Sequence, residues 1–182
     1  MTTTRWIYCG SMSAILALIV HLALVLFQPL ADTKRRLGDF EALGPVNKVF
    51  MVPGISPGST VLRHASPDIS YAVCRFDIAD QPIRITAKLP DSYWSIAMYS
   101  EKSDNFYVIN NRQVGQSKLT LLLARIDPDA ETAGEIIDIP ENTILVSSPS
   151  SSGLVVFRAA LPDRSSQAQV RAFLKSSKCE PA

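Results

Sequence analysis

Histidine and cysteine are scarce in this chain of 182 residues, with two of the first and three of the second. So few ligands exclude most multi-ligand zinc sites. A Ser–His–acid triad could draw only on His64, which lies in a Pro/Gly-rich stretch and reads as a solvated loop histidine. A surplus of one charge sign is lacking too. Lys+Arg number 18 and Asp+Glu 17, for a formal charge of +1, which argues against a nucleic-acid binder working through a basic surface. There is no phosphate-cradling glycine loop, no zinc spacing, no internal repeat and no low-complexity tract. Disorder is excluded as well. At 47% hydrophobic and 19% charged, the chain can build one domain of ordinary size plus one appended element.

What is present is a long oily N-terminus. No charged residue occurs over residues 7–30, and residues 14–27 read AILALIVHLALVLF. About 20 apolar residues span the roughly 30 Å hydrocarbon core as a helix. Trp6 and Tyr8 lie where aromatic rings prefer the headgroup level, and Pro29 is expected to close the other end. Residues 7–29 are therefore read as one transmembrane helix within an anchor of residues 1–31. The rival is a cleaved signal peptide, which needs a shorter apolar region of about 7–15 residues and an A-x-A-like site. Ala31 is the small residue in place, and Pro29 fits a cut there poorly. Cys9 precedes the apolar run, which does not suit a lipoprotein signal. His21 falls near mid-bilayer, where an ionisable group is a functional candidate by default. With no second polar residue nearby to form a relay, it reads as a neutral imidazole facing a helix partner or a backbone carbonyl. Lys34, Arg35 and Arg36 after the span outnumber Arg5 before it, and that count alone puts the C-terminal portion in the cytoplasm.

Residues 32–67 read as a short helix and a Pro/Gly-rich linker. Leu37, Phe40 and Leu43 are spaced by three, Gly44 and Pro45 stop the helix, and Pro45, Pro53, Pro57 and Pro67 follow. From residue 68 the period changes to two. Ala72, Cys74, Phe76 and Ile78 alternate with polar residues, as do Ile83, Ile85, Ala87 and Leu89. Ala79-Asp80-Gln81-Pro82 has turn chemistry, so the two runs are expected to form a hairpin. Its register would place Ile78 opposite Ile83, Phe76 opposite Ile85, Cys74 opposite Ala87, and Asp77 opposite Arg84. Further strands are read at 93–100, 105–112, 119–126, 135–139, 143–148 and 154–160, with the 119–126 strand central because it is apolar on both faces. The serines of 147–153 read as turn residues, and Asp127 and Asp129 as part of a solvated acidic loop. A C-terminal helix is expected over 164–175, with Asp163 as its N-cap. The fold class is mainly β: an antiparallel β-sandwich or twisted sheet over 68–182 with flanking helices, preceded by one transmembrane helix.

Cys74 sits on the inward face of its strand and Cys179 in the tail. A bond between them would close a long loop and imply an oxidising compartment. The alternative is a small core residue and a free thiol, and spacing does not decide between them.

The segments Arg5-Trp6-Ile7-Tyr8, Tyr71-Ala72-Val73-Cys74-Arg75-Phe76-Asp77, Tyr93-Trp94-Ser95-Ile96 and Phe106-Tyr107-Val108-Ile109-Asn110 resemble short bacterial membrane proteins of the family labelled domain of unknown function 1254. The resemblance covers most of the chain and rests on strand segments and their order, with no catalytic signature. It implies an inner-membrane anchor carrying a β-rich domain, and often a neighbouring partner from a second uncharacterised family. It also implies the Cys74–Cys179 pairing and a periplasmic domain, against the Lys/Arg count. It supplies no activity and no functional residue.

Asp91, Trp94, Tyr99, Tyr107, Asn110 and Arg112 cluster in sequence around two neighbouring strands. Aromatics with polar ends suit a recognition face, and equally the wet side of an ordinary sheet. The reading is a non-enzymatic, single-pass membrane-tethered binding module of the bacterial envelope. Its expected partners are the bilayer and a neighbouring membrane or periplasmic protein, with no nucleic acid, metal or cofactor. The alternative is a small membrane-associated enzyme or enzyme subunit, with Tyr, Arg or carboxylate groups brought together by folding. A third idea is a structural protein that stabilises a membrane complex through residues 7–29.

Overall fold

A computed structural model describes residues 3–41, 44–52, 66, 68–125, 140–163 and 165–182, with 29–41 described as backbone only. The chain divides into two compact units, Met1–Gly38 and Asp39–Ala182. The first is built on one helix, α1 (Thr3–Glu41), whose stretch Thr3–Gln28 is long and apolar enough to cross a membrane and is left unburied along its most apolar part. Pro29 does not end this helix, and the polar segment after it is not a separate helix as the sequence suggested. A proline removes one N–H and crowds one carbonyl. The long helical runs on either side keep their own hydrogen bonds.

The second unit is a two-sheet sandwich. Its strands are β1 (Val49–Met51), β2 (Ile69–Asp77), β3 (Ile83–Lys88), β4 (Trp94–Ser100), β5 (Asn105–Asn110), β6 (Lys118–Ala124), β7 (Thr143–Ser147), β8 (Ser152–Ala160) and β9 (Lys178–Pro181), with helix α2 (Gln167–Ser176) before the last strand. One sheet has the order β1-β2-β8-β4-β5 and the other β7-β6-β3-β9. The alternation identified the inward faces of β2 and β3: Ala72, Cys74, Phe76, Ile83, Ile85 and Ala87 are all in the main core. The hairpin reading is corrected. β2 pairs with β8 in one sheet and β3 with β6 in the other, so the 79–82 link carries the chain between sheets and Asp77 is not opposite Arg84. Inward faces that oppose each other across a core and inward faces that lie side by side produce the same period of two.

β4 and β5 do form a hairpin, with a register irregularity at Met98/Tyr99. β6 is an internal strand, flanked by β3 and β7, and its buried residues Leu121, Leu122 and Leu123 fit that position. Its pairing with β7 is parallel, which makes the second sheet mixed and not purely antiparallel. Two strands escaped the alternation because they are short: β1, inside the expected linker, and β9, in the expected tail. The strand expected at 135–139, the acidic loop and His64 lie outside the described residues.

Asn47 (φ 58°) pins β1 to β2. Its Nδ2 donates to the Asp77 carbonyl at 2.9 Å, and its Oδ1 accepts from the Asp77 N–H at 2.9 Å. Gly44 has φ 154° and a Cβ there would run into the Phe50 ring. Gly153, in β8, leaves room for the Tyr99 carbonyl and the Phe76 ring.

α2 starts three residues later than expected. Asp163 accepts from the N–H of Ser166 at 2.8 Å and from the hydroxyls of Ser165 and Ser166, so it closes the turn before the helix. Bonds from Ser165 first, then Ser166, hold its carboxyl below the usual aspartate range. Val170, Phe173 and Leu174 form the buried i, i+3, i+4 stripe of α2. Phe173 lies 6.4 Å from both Trp94 and Phe157, so the helix plugs into the aromatic part of the core. Cys74 of β2 and Cys179 of β9 are joined by a disulfide with S–S 2.02 Å, which ties one sheet to the other through the core.

Candidate functional site

The residues singled out around β4 and β5 do not form one face. Trp94 is only 2% exposed and belongs to the core, packed on Phe173. β4 is buried on both sides along most of its length, so no alternation marked which way Trp94 points. Tyr107 packs partly buried against the main core from edge strand β5, and burial pushes its hydroxyl pKa up. Asn110 and Arg112 sit at the turn after β5, where Asn110 Oδ1 accepts from the Arg112 N–H at 2.9 Å. Asp91 accepts from Gln169 Nε2 of α2 at 2.7 Å. Asp91 and Arg112 are exposed, and Tyr99 is half-buried on the outer face of the five-stranded sheet. Its hydroxyl accepts from Arg158 Nη2 at 2.8 Å, and its ring packs with Tyr71 against a second apolar cluster of Val52, Val73, Leu154 and Val156. The outer face of the five-stranded sheet is thus apolar at its centre, with two tyrosines packed against that cluster.

The outer face of the four-stranded sheet is polar over the rows through Thr86 and Lys88. Arg84, Thr86 and Lys88 alternate with the buried Ile83, Ile85 and Ala87 and so point away from the core. Pairing brings three further strands into register with them. Thr86 is opposite Thr120 and Lys178, and Thr120 is beside Thr143, so one row of hydroxyls and a lysine crosses all four strands. In the next row Lys88 is directly opposite Lys118, and in the row on the other side Arg84 lies between Glu180 and the apolar Leu122, which is beside Leu145. Lys178 Nζ is 3.8 Å from Glu180 Oε1, an exposed pair of small energetic consequence. Together with Glu141, Pro140 and Ser176 these side chains line a groove of about 540 Å³. The sequence displayed the polar positions of β3 but not their neighbours, because strand pairing was needed to collect the rest.

Other chemistry is accounted for locally. Ser148 and Ser150 hydroxyls donate to the carbonyls of Ser150 and Ser152, both at 2.7 Å, and so serve the turn before β8. Among the described residues no group of three or more His, Cys, Asp or Glu side chains could hold a metal ion. Asp127 and Asp129 lie outside the described residues. Cys9 in α1 is an exposed free thiol.

Against known proteins, the sequence profile of the family described as "Protein of unknown function (DUF1254)" matches residues 46–181. No curated protein matches. The fold is similar to the crystal structure of the VPA0106 protein from Vibrio parahaemolyticus, with TM-score 0.57 and 14% identity, covering 78% of this chain and 31% of that one. An uncharacterized protein from Burkholderia cenocepacia matches with TM-score 0.46 and 13% identity, over 64% of this chain and 32% of that one. The chain therefore spans about a third of the length of these solved proteins. It belongs to the DUF1254 family, since the profile covers most of its length.

Proposed function

We propose that this DUF1254 chain is a single-pass membrane-tethered binding module of the bacterial cell envelope, held in the inner membrane by α1 with its β-sandwich in the periplasm. The observation that carries this reading is the contrast in α1: an apolar stretch of 26 residues leaves its side chains uncovered by protein. Lipid is the solvent in which such a surface is stable. The periplasmic side is supported by the Cys74–Cys179 disulfide, because such bonds persist outside the reducing cytosol. The binding role is supported by the charged, hydroxyl-rich groove on the outer face of the four-stranded sheet.

The test is labelling of intact spheroplasts with a membrane-impermeant amine reagent, followed by mass spectrometry. Lys88 and Lys118, both exposed, should be modified before lysis. Modification only after lysis would place the sandwich in the cytoplasm and overturn the reading.

A further inference from the structure

We propose that the outer face of the four-stranded sheet binds an anionic glycan, a carbohydrate chain carrying carboxylate or phosphate groups. The inference rests on the binding-module reading and names the ligand class for one of its faces. Lys88 and Lys118 are directly opposed on adjacent strands. Like charges in that position weaken a sheet, and a bound oxyanion between them reverses the sign of the interaction. The groove they share holds four cations against two carboxylates, so its field favours anions.

The ligand is a sugar chain more than a bare ion because the adjacent row is built of hydroxyls. Thr86, Thr120 and Thr143 run across three strands, and each can both donate to and accept from a sugar hydroxyl. It is a sugar chain more than a lipid surface because the described lining residues include no aromatic or large aliphatic side chain to enter a headgroup layer. Without an aromatic platform, charge and hydroxyls carry recognition, which selects an acidic glycan over a neutral one.

The experiment uses the full chain in detergent micelles and polygalacturonate as the probe, with neutral dextran and phosphatidylglycerol vesicles as comparison arms. The expected result is binding to polygalacturonate that weakens with added salt and falls at least tenfold in K88S/K118S. An R112S variant, altered at the turn after β5, should bind as the wild type does. The double variant should melt no lower than the wild type, since it loses an opposed like-charge pair, and this separates lost binding from lost folding. Absent binding to polygalacturonate, equal binding to dextran, preference for the vesicles, or undiminished binding by K88S/K118S would each overturn the proposal. The spheroplast labelling above is independent of all these results, so the tether reading and the glycan reading fail separately.

Discussion

Leu16, Ile19 and Phe27 of α1 are 63%, 57% and 69% exposed, whereas Leu121, Ile85 and Phe157 of the sandwich are 0–1% exposed. The same residue types are used in both regions, and only the second covers them with protein. The main core draws on strands from both sheets and on Val170, Phe173 and Leu174 of α2. Burial in the sandwich removes apolar area from water, whereas the apolar side chains of α1 are left uncovered by the described residues, and on the proposed tether hydrocarbon takes that role.

The sharpest way to probe this contrast is to shorten an aromatic in each region. Phe157→Ala should cost the sandwich about 3–5 kcal/mol in denaturant unfolding. Phe27→Ala should leave that transition unmoved, and an equal loss would erase the distinction between the regions. The cross-sheet bond comes next. Its cysteines are 105 residues apart, and the double variant Cys74→Ser/Cys179→Ser should lose about 2–5 kcal/mol. Adding a reductant to the wild type should lower its unfolding midpoint in the same direction. Third, Ile19→Arg should disfavour insertion of α1 by about 2.5–3.5 kcal/mol, read as a lower membrane-embedded fraction, with sandwich unfolding unchanged. The smallest effect is expected at Asp163, which is fully exposed. Its lowered pKa adds stability that is present above the ordinary aspartate range and is lost as pH falls through the lowered value. The difference in melting between wild type and Asp163→Asn should therefore vanish in acid and return toward neutral pH.

Faces were legible in the sequence where partners were not. The alternation through Ala72, Cys74 and Phe76, and again through Ile83, Ile85 and Ala87, correctly marked the residues that enter the core. It could not say that the two runs belong to different sheets, because a period of two records which side is buried and is silent on which strand lies alongside. Trp94 was misplaced for a related reason: β4 is buried on both sides, so its pattern holds no contrast. β1 and β9, at three and four residues, are too short to show any period. The groove on the four-stranded sheet needed all these pairings at once. Lys88 and Lys118 are separated by thirty positions in sequence and become neighbours only through the β3–β6 register.

On the proposed tether, α1 stays attached and holds the sandwich to a bilayer. Alkaline carbonate extraction of host-cell membranes, followed by intact-mass measurement of the recovered chain, decides this. A full-length chain should stay in the membrane pellet and be released only by detergent. A shorter chain, beginning beyond the apolar stretch and recovered in the carbonate supernatant, would contradict it.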